Sequence, residues 1–395
     1  MGGCLCNGDR HTSTESVVKI ALILPGGVDR SGEYRVIPVF LSLIRRLAHT
    51  HEVHVFALRQ EAQADSWQLA GATIHNIGDG RTRWRAIEAI RTEHANAPFD
   101  LIHAIFSGSC SFVAVVAAKL LQLPSMVHIA GGELVALHQI GYGGRRKWWS
   151  RWREALVLRK ADIVTAASAP IVDSLRVLGI QGRRVPLGVD LRAWAPLAPR
   201  SRKEKQAHLI HVASLNRVKD QTTLLQALSQ LLQAGGDFRM DVVGVDTLNG
   251  EMQKLTTQLG LDNHVRFLGF KTQSELRPIM RSADLLVMSS LHEAGPLVLL
   301  EAAVAGVPTV GTNVGHIAEW SPAAALAVRI GDPAALAQAI GMVLADESLR
   351  LRLASEAQHR AITEDADYTA RTFEALYRQL LTSYRAERLK SVLTR

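Results

Sequence analysis

The chain has 395 residues, 47% of them hydrophobic, and a formal net charge of +8. This length exceeds what one ordinary hydrophobic core holds, and the apolar content excludes wholesale disorder, so two globular domains are expected. Three cysteines provide neither a disulfide framework nor a metal cluster, which favours a reducing, cytoplasmic setting. No uncharged apolar run reaches the length of about 20 residues that a membrane span needs. We expect no nucleic-acid partner.

Residues 1–16 lack the apolar segment of a signal peptide and are predicted to be a disordered tail. From residue 17 onward, short apolar or β-branched runs alternate with helical patterns. Helices are predicted at 35–48, where Pro38 falls within the first turn, and at 109–121. Strands are predicted at 17–24, 52–57, 72–76, 100–104, 124–129 and 161–165. This alternation predicts a parallel sheet covered on both faces, over residues 17–190.

A basic segment lies near the end of this first domain. Residues 141–160 hold seven basic residues and one acidic residue, together with Trp148, Trp149 and Trp152. A basic, tryptophan-rich helix can lie on an anionic membrane surface, so residues 145–160 are a candidate for peripheral membrane contact. The alternative is a helix with a solvated basic face whose tryptophans pack inward. The composition is compatible with either interpretation.

Residues 191–207 carry two prolines and a cluster of charges, which is typical of a linker. Beyond them the alternation restarts and predicts a second domain over residues 208–365. Its strands are predicted at 208–213, 238–243, 264–268, 284–288 and 308–311. Its helices are predicted at 219–233, 248–259, 273–281, 296–305, 334–345 and 347–361. A last helix at 367–388, within the segment 366–395, could cross back to the first domain.

Two α/β domains joined by one linker place a cleft between them, and ligands of such folds bind at the carboxyl ends of the strands. The loop after the first strand contains Gly26 and Gly27, which let the backbone approach a ligand, although the G-x-G-x-x-G fingerprint is absent. In the second domain, Ser214 begins a loop in which Arg217 precedes Lys219, at a predicted helix start. These cations and the helix N-terminus fit a diphosphate site. Each loop alone is equally compatible with an ordinary surface turn.

The stretch at 289–312 holds Glu293 and Glu301 within an otherwise apolar run. Glu293 lies in a loop after a predicted strand, and a helix starts near Pro296. Glu301 lies about six residues into this helix, roughly 9 Å along its axis. Carboxylates accept hydrogen bonds from paired hydroxyls, so the two acids could hold both ends of a nucleotide sugar. The alternative is a helix-surface acid at 301 and an acid at 293 that favours the helix dipole.

These residues together resemble the retaining glycosyltransferases of family four. That family has an α/β fold called GT-B, in which two Rossmann-like, doubly wound parallel-sheet domains face a cleft. The strongest part of the resemblance is the E-x7-E pattern of Glu293 and Glu301 in "HEAGPLVLLEA". It is supported by "ASLNRVKD", "VRFLGF", "GVPTVGTNVG" and "RIGDPAALAQAI", and it covers the chain from about residue 17 to 385.

The resemblance implies a role for each matching residue. Glu293 would contact the hydroxyls of the donor sugar, and Glu301 would bind the ribose. Lys219 would bind the diphosphate and stabilise the leaving group. Gly26 and Gly27 would approach the phosphate or the acceptor. The other implied donor-binding residues are Ser214, Leu268, Gly269, Phe270, Gly295, Pro296, Leu297 and Val298.

Three departures from the family pattern affect this site. Ala213 and Ser214 stand where members often have Gly-Arg, and Arg217 is the candidate replacement for the missing arginine. A family histidine position is occupied by Ala130. His128, two residues earlier on the same strand face, is a candidate catalytic residue or a buried strand histidine. The loop "HEAGP" replaces the commoner "EGFG", with a proline in a glycine's place.

The resemblance implies transfer of a sugar from a nucleotide diphosphate sugar to an acceptor, with retention at the anomeric carbon. The family generally needs no metal or other cofactor, and the cleft loops contain no Asp-x-Asp cluster. The acceptor is unknown; a lipid-linked or polysaccharide precursor fits, with the protein cytoplasmic or peripheral on the inner face of the membrane. Two alternatives stay open: a nucleotide-sugar epimerase of the same architecture, and a catalytically silent nucleotide-sugar-binding protein.

Overall fold

The computed structural model describes residues 17–393, so the predicted tail at residues 1–16 lies outside the described part. The described chain forms two α/β domains, each built on a central sheet. Strands at the centre of the first sheet are buried along their whole length, as expected where helices cover both faces of a parallel sheet.

The N-terminal sheet has eight strands. They are β1 (Lys19–Leu24), β2 (Glu52–Ala57), β3 (Asp65–Leu69), β4 (Ala72–Asn76), β5 (Leu101–Ile105), β6 (Ser125–Ile129), β7 (Ile163–Ala166) and β8 (Arg183–Arg184). Their order is β3-β4-β2-β1-β5-β6-β7-β8, with β3 antiparallel to β4 and the other neighbouring pairs parallel. The sequence predicted neither β3, a largely exposed edge strand, nor β8, which has two residues.

Besides the last helix of the chain, five helices of the N-terminal domain cover this sheet. They are α1 (Pro38–Thr50), α2 (Thr82–Asn96), α3 (Ser109–Leu121), α4 (Trp148–Lys160) and α5 (Ala169–Val177). Pro38 is the first residue of α1, where its fixed backbone angle suits the helix and its missing N–H is not needed. A short 3₁₀ turn at His138–Ile140 precedes α4.

The C-terminal sheet has six parallel strands. They are β9 (Ala207–Val212), β10 (Phe238–Val243), β11 (Val265–Gly269), β12 (Leu285–Met288), β13 (Thr309–Thr312) and β14 (Leu326–Val328). Their order is β11-β10-β9-β12-β13-β14. The helices are α6 (Gln221–Gln233), α7 (Glu251–Gln258), α8 (Gln273–Ser282), α9 (Leu297–Val304), α10 (Gly315–Trp320), α11 (Pro333–Ala345) and α12 (Glu347–Thr363). β9 begins at Ala207, which the sequence assigned to the linker.

The last helix, α13 (Ala366–Leu393), packs on the N-terminal domain. Phe373 and Tyr377 of α13 are buried in the core that β1, β2 and α1 form. The Tyr377 hydroxyl lies 2.7 Å from Nδ1 of His103 on β5. By contrast, α12 buries Ala357 in the C-terminal domain. The chain therefore crosses between the domains twice, through residues 191–206 and again at the start of α13.

The loops at the carboxyl ends of both sheets meet across a cleft. Ser168, just after β7, donates its hydroxyl hydrogen to the carbonyl of Ala294, after β12, at 2.5 Å. Arg184 Nε lies 2.5 Å from Glu319 Oε1, which adds an ion pair between the domains. The predicted fold class, two doubly wound parallel-sheet domains facing a cleft, is therefore confirmed.

Candidate active site

The loops that follow β9 and β12 lie side by side, since these parallel strands are neighbours and end at the same edge of the sheet. The Ser289 hydroxyl donates to the carbonyl of Lys219 at 2.8 Å, which ties the two loops together. Lys219 Nζ lies 2.5 Å from Oε1 of Glu293. The Ser290 hydroxyl donates to the same carboxylate oxygen at 2.6 Å. The two residues predicted to bind the donor sugar and its diphosphate thus form one ion pair.

Lys219 stands on a loop, not at the helix start that the sequence predicted. The helix α6 begins at Gln221, and Asp220 caps it by accepting from the N–H of Thr223. Asp220 adopts the left-handed conformation, with φ of 47°. The side chains of Lys219 and Glu293 retain 24% and 10% of their exposure, so the ion pair borders the cleft. A cation and a carboxylate at this position can bind a phosphate and a hydroxyl side by side.

Arg217, the predicted replacement for the family arginine, does not join this ion pair. Its guanidinium binds Glu251 at the start of α7 at 2.8 Å, and its side chain is 57% exposed. Among the described residues, Lys219 is the cation that forms an ion pair with Glu293. The structure therefore gives Arg217 a surface ion pair in place of the predicted catalytic contact.

Glu301 lies on α9 and is buried, with 7% exposure. Its Oε1 accepts from Gln273 Nε2 at 3.0 Å, and the amide oxygen of Gln273 accepts from Trp194 Nε1 at 2.8 Å. Burial raises the pKa of the Glu301 carboxyl to about 7. These three residues line a cavity of about 280 Å³ in the cleft, and Val36 and Ser42 line it from the first domain. A ligand in this cavity reaches the carboxyl group of Glu301.

The backbone between the two glutamates turns tightly into α9. A Cβ atom on Gly295 would lie 2.8 Å from Nε2 of His316, so a larger residue does not fit. Pro296 occupies the N-cap position of α9, and the helix itself begins at Leu297, one residue later than predicted. No side chain caps this helix, so the N–H groups of Leu297 and Val298 are available to an anion at its N-terminus.

The other predicted donor-binding residues lie at the same edge of the C-terminal sheet. Ser214 follows β9 and is exposed. The N–H of Gly244, after β10, donates to the carbonyl of Gly269 at 2.9 Å, which aligns the ends of β10 and β11. Leu268 is half-buried, and Phe270 is 53% exposed. An exposed aromatic ring just after β11 fits the prediction of a nucleobase contact, which stays a prediction.

Gly26 and Gly27 meet a packing requirement. Gly27 has φ of +81°, and a Cβ atom there would lie 2.7 Å from Cγ1 of Ile37. The N–H groups of Gly27 and Val28 both donate to Oε1 of Gln60, at 2.7 and 3.0 Å. The N–H of Gly27 is therefore occupied, and a phosphate or acceptor would have to meet other atoms of this loop.

His128, a further catalytic candidate from the sequence, is a core residue. It has no exposed surface, and its Nδ1 lies 2.9 Å from Oγ1 of Thr165 on β7. Its ring packs edge-on against Phe373 of α13, with 5.4 Å between ring centroids. Burial lowers the pKa of His128 to about 3, so the ring is neutral. Of the two interpretations of His128, the structure supports the buried strand histidine and not the catalytic residue, because α13 covers this face of the sheet.

The sequence did not predict two acids of the first domain, the half-buried Glu133 and the buried Glu154. Glu133 accepts from the N–H groups of Ser107 and Gly131 at 3.0 and 2.7 Å. Glu154 of α4 accepts from the Ser107 hydroxyl, and burial raises the pKa of Glu154 to about 7. Both acids line a cavity of about 290 Å³ together with Tyr142. The available signals were the "GGE" at 131–133 and the single acid within the basic segment.

The tryptophans of α4 face solvent. Trp148, Trp149 and Trp152 are 74%, 48% and 69% exposed. The interpretation that these rings pack inward is therefore wrong. Within residues 17–393, every helix is too short or too polar to span a membrane.

Both domains of the chain are similar to those of known protein families. Residues 36–189 match the family described as "Glycosyl transferase 4-like domain", and residues 197–360 match the family described as "Glycosyl transferases group 1". The two-domain fold is that of the GT-B glycosyltransferases, and the two family models together match most of the chain. The chain belongs to the family-four group of these proteins, as its sequence predicted.

Several relatives are similar in sequence to this chain over part of their length. Putative glycosyltransferase EpsF of Bacillus subtilis (strain 168) is 31% identical over 232 residues, which are 54% of this chain and 58% of EpsF. The chain spans about half the length of EpsF and of the D-inositol 3-phosphate glycosyltransferases that it also matches. Sucrose-phosphate synthase from Thermosynechococcus elongatus has a similar structure, with a TM-score of 0.78 and 21% identity over 93% of this chain and 100% of that one. HepE of Anabaena in complex with UDP-glucose gives a TM-score of 0.70 and 19% identity over 92% and 100%.

Proposed function

We propose that this protein is a retaining glycosyltransferase that moves a sugar from a nucleotide diphosphate sugar to an acceptor hydroxyl. The observation that carries the proposal is the Lys219–Glu293 ion pair, placed at the N-terminus of α9 and followed on that helix by Glu301. This arrangement matches a molecule whose diphosphate lies between two sugars. HepE, whose fold is similar, has been solved with UDP-glucose, which supports a donor of this chemical class.

In the proposed reaction the bond from the anomeric carbon to the diphosphate oxygen breaks, and the acceptor oxygen bonds to the same face of that carbon. The proton of the acceptor hydroxyl passes to the leaving phosphate oxygen. Lys219 and the uncapped N-terminus of α9 stabilise the charge that develops on the diphosphate. Glu293 accepts from hydroxyls of the transferred sugar, and Glu301 accepts from the ribose. We propose that these groups suffice without a metal ion.

Family membership favours the transferase over the epimerase, and the intact Lys219–Glu293 pair favours an active enzyme over a silent binding protein. A panel of radiolabelled nucleotide sugars, incubated with and without membrane extract, separates the three. We expect nucleotide release that depends on acceptor. Epimerised donor without acceptor would establish the epimerase, and donor binding without turnover would establish the silent protein.

Two variants of the same loop sharpen this experiment. Lys219→Ala removes the cation that meets the leaving group, and we expect a loss in kcat of about 10²–10³-fold, as for other groups that stabilise developing charge. Arg217→Ala is the matched control, because Arg217 binds Glu251 at the surface. We expect it to change kcat less than about twofold, since exposed ion pairs contribute little. An equal loss in both variants would restore the catalytic role predicted for Arg217.

We further propose that α4 binds anionic membrane surfaces. Its exposed tryptophans can insert at the headgroup level, while neighbouring basic residues such as Arg151 and Arg153 meet lipid phosphates. A membrane-bound enzyme would meet a lipid-linked acceptor where that acceptor lies.

A further inference from the structure

A separate cavity of about 510 Å³ opens on the N-terminal domain. It lies where β1, β2 and β5 end, because Pro25, Leu58 and Phe106 line it. In the sheet, β2 is the neighbour of β1 on one side and β5 is its neighbour on the other. The direction in which successive strands are added therefore reverses between β1 and β5. Ligands of doubly wound sheets bind at such switch points. None of the residues predicted from the sequence to bind the donor lines this cavity.

The cavity has a strong positive charge. Arg59, Arg81 and Arg83 line it, and no acidic residue does. Within residues 17–393, none of these three guanidinium groups forms an ion pair, although Arg83 lies over the ring of Phe112 at 5.3 Å. Three cations without counter-charges repel one another, so an anion that entered would relieve that repulsion. The cavity therefore favours a ligand with a concentrated negative charge.

Two helices begin at this cavity and add to its field. Thr82 starts α2 and Ser109 starts α3. In α2, the N–H groups of Thr82 and Trp84 already donate to the carbonyls of Gly80 and Arg81. The helix α3 has glycine at its N-cap and so no capping side chain, which leaves its N-terminus to attract phosphate. Trp84 forms another wall; it is 61% exposed and meets Phe112 edge-on, with 5.9 Å between ring centroids. A fixed, exposed aromatic ring next to cations suits a ligand that combines a phosphate with a sugar ring.

This cavity lies next to the proposed donor site. A Cβ atom on Gly131 would lie 2.7 Å from Phe106, so Gly131 packs directly on the cavity wall. The carbonyl oxygen of Gly131 lies 3.4 Å from Nε2 of His292, which precedes Glu293. Phe106 and Gly131 thus lie between the cavity and the donor loop, so the two sites are neighbours at the carboxyl ends of the strands.

We propose that this cavity binds the phosphate group of a phosphorylated acceptor, with Arg59, Arg81 and Arg83 on the phosphate and Trp84 on the adjacent sugar ring. The proposal rests on the glycosyltransferase function above and adds the chemical class of its acceptor. The same phosphate chemistry is offered by a soluble sugar phosphate and by a lipid-linked phosphate, and the experiment separates them.

The test uses the whole protein labelled with 5-fluorotryptophan, in which ¹⁹F NMR resolves each tryptophan and Trp84→Phe assigns the Trp84 signal. Inorganic phosphate is titrated in without any donor. We expect a saturable shift of the Trp84 signal and at least tenfold weaker binding in the Arg59→Gln/Arg81→Gln/Arg83→Gln variant. Arg91→Gln, an exposed arginine of α2 that pairs with Glu88, is the matched control and should bind like wild type.

Binding of the donor nucleotide to each variant reports whether it is folded, and single arginine variants replace the triple one if it does not fold. A Trp84 signal that phosphate does not shift, or a folded triple variant that binds as wild type does, overturns the proposal. Because the titration needs no donor, it fails or succeeds independently of the transferase assay. Lys219→Ala should leave this titration unchanged, which separates the cavity from the diphosphate site.

Two further probes identify the source of the phosphate. Glucose 6-phosphate is titrated in the same way, and vesicles with and without a polyprenyl phosphate are tested for flotation that depends on the three arginines. Binding of either probe supports a phosphorylated acceptor of that kind. If inorganic phosphate binds but neither probe does, the assignment of the cavity to an acceptor is overturned.

Discussion

At the scale of single residues, Glu301 is a carboxyl group that the fold buries almost completely. It is bonded to Gln273, and Gln273 is bonded to Trp194, so its position is fixed before any ligand arrives. A fixed acceptor loses little conformational entropy when it binds a hydroxyl. The ionised form needs a donor at its other oxygen, and a ribose would supply one.

Glu301→Gln tests this role because it removes the charge and keeps the shape. The variant's amide oxygen can still accept from Gln273, so the helix should stay in place. We expect donor affinity, measured by calorimetry, to fall about fivefold, since hydrogen bonds to charged groups are stronger than neutral ones by about 1 kcal/mol. Glu356→Gln, an exposed acid of α12 paired with Arg360, should leave affinity unchanged. Wild-type affinity in Glu301→Gln would remove the ribose role.

The same variant gives a pH-dependent prediction for stability. The folded pKa of Glu301 is raised from 4.5 to about 7, so ionising this group costs folding free energy. The wild type therefore loses stability through Glu301 as pH rises through that window, and Glu301→Gln does not. In urea unfolding without ligand, the variant should gain on the wild type between pH 5 and pH 8, by on the order of 3 kcal/mol at most. A difference that does not change with pH would contradict the raised pKa.

The sequence predicted Glu293, Lys219 and Glu301 because each lies in a local pattern of strand end, loop and helix. It could not place Arg217, whose partner Glu251 is 34 residues away and competes with the cleft for the same guanidinium. The sequence also could not decide whether His128 is catalytic or buried, for a similar reason. Its face of the sheet is covered by α13, a helix that belongs to the far end of the chain.

At the scale of elements, the loop that joins β12 to α9 depends on glycine at position 295. Gly295→Ala puts a Cβ atom 2.8 Å from His316, so the loop and Glu293 must shift. We expect a loss of about 1–3 kcal/mol in stability in chemical unfolding, with reduced transferase activity. Gly341→Ala in α11 is the control, since its Cβ meets Leu231 at an ordinary 3.6 Å. That change should stabilise by about 0.5–1 kcal/mol.

The helix α4 makes a second prediction at this scale. Trp148→Ser/Trp149→Ser/Trp152→Ser removes its exposed rings and leaves its charges. In flotation with phosphatidylglycerol vesicles we expect the wild type to float and this variant to stay largely behind, because the aromatic anchors are lost. Trp84→Ser, an exposed tryptophan outside α4, should float like the wild type. Flotation of the triple variant to the same extent would remove α4 as the membrane contact.

Most strands could be predicted because the strands of a parallel sheet are buried on both faces and appear in the sequence as apolar runs, such as "VVKIALIL" before Pro25. The helical patterns between these runs predicted most of the helices. The edge strand β3 could not, since its residues are polar and exposed and its pairing with β4 is antiparallel. The cavity with Arg59, Arg81 and Arg83 was also beyond reach. Its residues come from separate strand ends, and only the sheet order brings them together.

At the scale of the whole molecule, the two domains are not independent segments of chain. Residues 17–190 form a sheet whose core is completed by Phe373 and Tyr377 from α13. The same helix contacts His103 and His128 on two central strands, with ring centroids 4.9 and 5.4 Å from Phe373. The last helix therefore supplies part of the core of the first domain, and we expect that domain to depend on α13 for its stability.

Phe373→Ala tests this dependence of the first domain on α13. Removing a fully buried phenyl ring should cost about 3–5 kcal/mol. Because that ring packs in the N-terminal core, hydrogen exchange should accelerate at the amides of β5 and β6 and not at those of β9 and β10. Leu353→Ala in α12, buried in the C-terminal core, is the reciprocal variant and should loosen β9 and β10 first. If Phe373→Ala instead frays α13 and leaves β5 and β6 protected, the helix is an attachment to a core that is complete without it.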